Sequence, residues 1–135
     1  MSGAMREIIA VKQDGQGRKR WFRGDTFDIF TWQDGAGHFT SLHLCYDRGG
    51  DERVLRWDPA IGYWHESVDA DEAKPGRAMS AILRANGAFP GDVVLRQFRE
   101  VAPALPDDVA AFIEERIRLC PATPRPSGPR ADAVV

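Results

Sequence analysis

Four runs in which apolar and polar residues alternate constrain this chain more than anything else: FDIFTWQ (27–33), HFTSLHLCYD (38–47), ERVLRWD (52–58) and GYWHESV (62–68). A period of two is that of a strand with one side turned inward, because successive side chains leave a strand on opposite faces. The joints between the runs, Asp34-Gly35-Ala36-Gly37, Arg48-Gly49-Gly50-Asp51 and Pro59-Ala60-Ile61, are short and rich in turn-forming residues. Strands joined so tightly run antiparallel, so the stretch predicts a meander. Pairing Leu44 with Leu55 sets Leu42 opposite Trp57 and Tyr46 opposite Arg53. A four-residue first loop sets Phe27 opposite Leu44 and Ile29 opposite Leu42, and this face is the expected core. The reverse face would carry Phe30, Trp32, Phe39, Cys45, Val54 and Trp64, with His43 beside Cys45. A sheet covered on one side only alternates more strictly than this. The second face therefore calls for a cover of its own, from an N-terminal hairpin, the helices or a partner.

The flanks complete the fold class. REIIAVKQ (6–13), the turn Asp14-Gly15-Gln16-Gly17 and RKRWFR (18–23) read as a further hairpin. Arg23-Gly24-Asp25 spells an adhesion tripeptide, but here it is read as a turn between strands. Residues 69–91 form a long connection containing Lys74-Pro75-Gly76-Arg77, within which SAILRA (80–85) offers a short strand. Val94, Phe98 and Val101 then recur at helical spacing, Pro103 interrupts, and Pro106 opens a second stripe of Val109, Phe112, Ile113, Ile117 and Cys120. The expectation is an α+β domain: a mostly antiparallel meander of about five to six strands followed by two C-terminal helices packed on it. Residues 1–5 are expected as a flexible start, 6–120 as a single domain and 121–135 as a disordered Pro-rich tail. At 135 residues, a chain of this length can bury a core without metal or disulfide staples.

Charge and motifs narrow the function classes. The net charge of −2 gives no general attraction to nucleic acid or membrane. Locally the chain is uneven: Met1 to Gly24 holds six Lys/Arg against two Asp/Glu, and Asp25 to Glu72 holds eleven Asp/Glu against three Arg. Cys45 and Cys120 form no close pair and are expected as reduced, buried thiols of a cytoplasmic protein. No basic leader precedes an apolar run, and no run reaches the roughly 18 residues of a membrane span. His43 and Cys45 share a strand face while His65 should point the other way, so neither a metal site nor a Cys-His nucleophile is expected. No phosphate loop, HExxH or GxSxG is present. No catalytic residue, metal or cofactor is assigned.

Three function classes follow. The leading one is a non-enzymatic binding or protein-interaction domain whose partner is an unidentified protein or a small anionic ligand. Its expected site is the basic set Arg53, Lys74 and Arg77 near His65, because the long connection leaves the sheet just after the strand of His65. A homodimer through the second sheet face is the simplest protein–protein version. The second class is single-stranded nucleic-acid binding through Arg18, Arg20, Trp21 and Arg23, disfavoured by the acidic meander nearby. The third is a small enzyme with a pocket centred on His65.

Several strings in order, Arg20-Trp21-Phe22, Phe27-Asp28-Ile29, Leu44-Cys45-Tyr46-Asp47, Glu52 to Trp57, Lys74-Pro75-Gly76-Arg77 and Gly87-Ala88-Phe89, with a Leu105-Pro106 helix start, carry a resemblance. They resemble a family of small uncharacterised bacterial proteins with the pattern RWF, FDL, LCYDK, ERALTW, RPGR, DGxF. The resemblance spans about Arg18 to Leu119. It departs from the pattern at Arg48, Arg56, Lys74 and Asn86, of which Arg56 adds a charge to a sheet face. It implies a bacterial, cytoplasmic protein and transfers no catalytic residue.

Overall fold

The computed structural model describes residues 5–48, 52–67, 88–122 and 125–126. The strands are β1 (Arg6–Ile8), β2 (Arg18–Arg23), β3 (Asp28–Gln33), β4 (Phe39–Tyr46), β5 (Arg53–Asp58) and β6 (Gly62–Ser67). They pair in chain order as an antiparallel meander. Helices α1 (Gly91–Val101) and α2 (Asp107–Leu119) follow, joined by a 3-10 turn over Ala102–Ala104, where Pro103 prevents the first helix from continuing. A two-residue strand, β7 (Arg125–Pro126), closes the sheet by pairing in parallel with β6. The architecture is α+β, with both helices on one face of the sheet.

The helices dock as their apolar spacing dictates. Val94, Phe98 and Val101 of α1 are buried, as are Val109, Ile113 and Ile117 of α2. They share one core with Phe22, Phe27, Ile29, Leu42, Leu44 and Leu55 of the sheet side. Asp107 and Asp108 occupy the first turn of α2, and Arg116 and Arg118 its last, each sign suited to the helix dipole. Tyr63 on β6 donates its hydroxyl to the carbonyl of Arg116 at 2.7 Å, tying the sheet to the end of α2.

The register of β4 with β5 is Leu42↔Trp57, Leu44↔Leu55 and Tyr46↔Arg53, as the alternation predicts. The register of β3 with β4 differs from expectation by two residues. Ile29 lies opposite Leu44 and Thr31 opposite Leu42, because the turn is longer by one and a bulge at Trp32/Gln33 leaves Thr40 as an extra residue. Two single-residue steps restore the parity of the strand, so Leu42 and Leu44 still face the helices. Beyond the bulge only one step has been taken, and Phe39 is turned to the helix side. It stacks on Phe112 of α2 with ring centroids 4.2 Å apart, not on the second face where alternation had set it.

The N-terminal hairpin is also looser than the sequence suggests. Only Arg6, Glu7 and Ile8 pair with β2. Residues 9–17 leave the sheet, and the side chain of Gln13 replaces a strand by bonding both the amide and the carbonyl of Lys19, at 2.9 and 3.0 Å. Met5, expected in a flexible start, is buried in the core at 4% exposure. After α2 the chain is not wholly a loose tail: the amide of Phe89 donates to the carbonyl of Ala122 at 2.8 Å, and β7 follows. The expected strand at 80–85 lies outside the described residues.

Two glycines in the 9–17 segment test this account. Both have positive φ, 84° at Gly15 and 110° at Gly17, so an alanine at either meets a left-handed-backbone penalty of roughly 1–2 kcal/mol. A Cβ on Gly15 meets open space, whereas on Gly17 it would lie 2.5 Å from the carbonyl oxygen of Gln33. Gly17→Ala should therefore melt clearly below Gly15→Ala in thermal denaturation followed by circular dichroism. Equal midpoints would show that the segment does not sit against β3.

Candidate functional site

Alternation sends every second side chain of β2 to β6 away from the helices. Cross-strand pairing aligns five of them into one row, Trp21, Phe30, His43, Arg56 and Trp64. Trp21 stacks on Phe30 with centroids 5.4 Å apart, and Trp32 meets His43 edge-on at 4.8 Å. Segment 9–17 reaches over one corner of this face, and Val54, towards its other end, is 5% exposed. The Asp14 carboxylate accepts the Trp32 indole N–H at 3.1 Å, which leaves Trp32 6% exposed. A recess of about 410 Å³ remains beside it, lined by Asp14, Gln16, Lys19, Phe30, Ser41 and His43.

The face is charged but balanced. Lys19 sits 3.9 Å from Asp14, with its ammonium 5.2 Å from the ring centre of Phe30 and 5.5 Å from that of Trp32. Arg56 pairs with Glu66 at 2.7 Å. Arg23 lies opposite Asp28, whose carboxylate also accepts the Trp21 indole N–H. The amide of Gln16 and the Trp32 indole hold the Asp14 carboxyl below its ordinary value, so it is an anion at neutral pH. Burial, reinforced by the charges of Arg56 and Lys19, lowers the His43 imidazole to about 4, so it is neutral there. Burial pushes the Cys45 thiol up to about 12, helped by Asp28 and Glu52; this is an inert thiol and not a nucleophile.

On the helix side, the Arg53 guanidinium hydrogen-bonds the Tyr46 hydroxyl, and that hydroxyl lies 2.6 Å from Nε2 of His65. The Tyr46 and His65 rings are parallel to within 2°, and Phe89 meets both edge-on. His65 is 0% exposed. Desolvation raises the Tyr46 hydroxyl above its ordinary value. A larger recess of about 580 Å³ opens nearby between the start of α1 and the end of α2, where Phe89 and Cys120 are among its walls.

The residues singled out from the sequence are thus distributed unevenly. Arg53 and His65 come together through Tyr46, His65 fully buried and Arg53 half-buried. Lys74 and Arg77 lie outside the described residues. Of the basic-aromatic stretch, Trp21 and Arg23 share the open face with Lys19. Arg18 and Arg20 lie on the other side of the strand, where Arg20 forms a bidentate pair with Glu7, both bonds at 2.9 Å. The sequence reading missed the joint role of Lys19, His43, Arg56 and Glu66. The signal that could have found them was parity: Lys19, Trp21 and Arg23 are two apart, as are Val54 and Arg56.

Among the described residues no group of three His, Cys, Asp or Glu side chains is arranged to hold a metal ion, and no helix is long and apolar enough to cross a membrane. Compared with family models, curated proteins and solved structures, the chain finds no significant match in any of the three.

The neutral, buried His43 makes stability depend on pH. Its imidazole ionises near 4 in the folded chain and near 6.5 when exposed, so the unfolded state binds the extra proton between those values. The stabilisation is complete above about pH 6.5 and is lost as the pH falls towards 4. Urea denaturation at pH 7, 5.5 and 4.5 should show the native chain losing stability relative to His43→Gln across this window, with a slope of at most about 1.4 kcal/mol per pH unit. Parallel curves for the two chains would sink the assignment.

Proposed function

We propose that this chain is a non-enzymatic protein-interaction domain and that the open face of its sheet is the docking surface. The observation that carries the reading is the row Trp21, Phe30, His43, Arg56, Trp64, set on a face that neither helix covers. Broad aromatic surface with arginine among it is the composition of interface cores. The charge balance argues for protein over nucleic acid. Lys19, Arg23 and Arg56 each have a carboxylate beside or opposite them, so a phosphate backbone would gain few unpaired cations and few released counterions. The split of Arg18 and Arg20 from Trp21 works in the same direction. Arg53 and His65 serve in this reading as the hydrogen-bonded brace beneath the sheet, which keeps β4, β5 and β6 in register.

The test is affinity capture from extract of the native cells with the purified chain, compared with a Phe30→Glu/Trp64→Glu double variant of unchanged circular dichroism. Proteins held by the native chain should be lost from the variant by at least about tenfold. Retention by both chains would overturn the reading. So would salt-sensitive shifts of the Trp21 and Trp64 indole resonances on titration with a single-stranded oligonucleotide, which would give the face to nucleic acid.

A further inference from the structure

The recess at the Asp14 corner of the open face has hydrogen-bonding capacity that the fold leaves unused. Lys19 lies beside Trp32, Trp32 beside Ser41, and Phe30 beside His43 across successive strands, which brings all five to one floor. Asp14 and Gln16 overhang that floor from segment 9–17. They complete a space of about 410 Å³, within the roughly 300–1,000 Å³ of small-molecule sites. Its walls are fixed. The Asp14 carboxylate accepts the backbone amide of Gln16 at 3.0 Å and the Trp32 indole N–H at 3.1 Å, and Gln13 holds the backbone of Lys19. Among the described residues, by contrast, no hydrogen bond engages the Ser41 hydroxyl, the ring nitrogens of His43 or the Lys19 ammonium, which stops 3.9 Å from Asp14.

What these groups can satisfy limits the ligand. Lys19 only donates, Asp14 only accepts, and the Ser41 hydroxyl, the Gln16 carboxamide and the neutral His43 imidazole each do both. An anion would meet Asp14, and a cation would meet Lys19. An apolar body would shut Ser41 and His43 away from water with their polar atoms unsatisfied. A flat heterocycle carries its polar atoms in one plane, whereas the polar groups here rise from β4 and hang from segment 9–17. Hydroxyls set around a carbon ring match on each count. Every one donates and accepts, none is charged, they point in several directions, and the C–H groups between them pack on the Phe30 and Trp32 rings. We propose that the recess binds a neutral saccharide unit, with Ser41 and His43 bonding its hydroxyls from the floor and Asp14, Gln16 and Lys19 from the sides. The site goes beyond the docking row, with which it shares only Phe30 and His43, and does not require that row to bind a protein.

The test is titration of the full chain with the methyl glycosides of glucose, galactose, mannose and N-acetylglucosamine, followed by amide and Trp-indole NMR shifts. At least one glycoside should move the Trp32 indole and the Ser41 and His43 amides together. The shifts should saturate with a dissociation constant on the order of 1–10 mM, as fits a ligand of so few atoms. Ser41→Ala, which removes the hydroxyl without adding volume, should weaken that binding by about two- to tenfold with unchanged circular dichroism. The shift map is read on the native chain and stands even if Ser41→Ala does not fold. Absence of saturable shifts with all four glycosides up to about 100 mM overturns the proposal. So does binding of adenosine or sodium benzoate with none of the glycosides, which would give the recess to another class of ligand. Native affinity in a folded Ser41→Ala chain overturns it as well. None of these outcomes bears on the capture experiment, which tests the docking row separately.

Discussion

Leu42, Leu44 and Tyr46 leave one side of β4 and are buried at 4% exposure or less beneath the helices, which commits His43 and Cys45 to the other side. Every other feature of the domain is built outward from that commitment. β3 and β5 take their registers from β4, and β2 and β6 take theirs in turn, so one buried stripe decides the orientation of side chains across five strands. A slip of one residue would exchange the faces entirely, exposing the leucines and burying Arg56. The bulge at Thr40 shows how the constraint is met locally. The turn at Asp34 to His38 adds one residue and the bulge adds a second, and only their combination returns β4 to the parity that its leucines require.

The two faces solve different problems. The helix side contains a polar chain, Arg53 to Tyr46 to His65, in which each group is placed where its neighbour can use its hydrogen-bonding capacity. Burying such groups is costly unless they are satisfied. Placing them between β4, β5 and β6 makes the pairing of those strands specific as well as stable. The open side instead combines rings with closely paired charges. Paired charges lower the attraction for polyanions, which is the physical basis for proposing a protein and not a nucleic acid as partner.

Much of this was legible in the sequence, and the places where it was not have identifiable causes. The pairing of Leu44 with Leu55 followed from alternation across a short joint, and the helix stripes followed from spacing. The fate of Phe39 was not legible, since a bulge has no hydrophobic signature and alternation was carried straight through it. The basic-aromatic stretch at 18–23 was grouped by nearness in sequence, although nearness along a strand puts neighbours on opposite faces. His65 was grouped with Arg53, Lys74 and Arg77 because its strand precedes a long connection; Phe89, which follows that connection, packs edge-on against its buried ring.

By itself the sequence determined the six-strand meander, the two helices after it and the apolar stripes of β4 and both helices that line the core, because these depend on local periodicity and short turns. The tertiary structure decided which charges balance which, where the N-terminal segment leaves the sheet, and that His65 is closed off by residues more than twenty positions away. Those outcomes depend on pairing between strands and on cover supplied by distant segments, and no pattern within a single strand encodes them. The row from Trp21 to Trp64 belongs to both. Its members can be named from alternation, but only the registers of four successive strand pairs set them side by side.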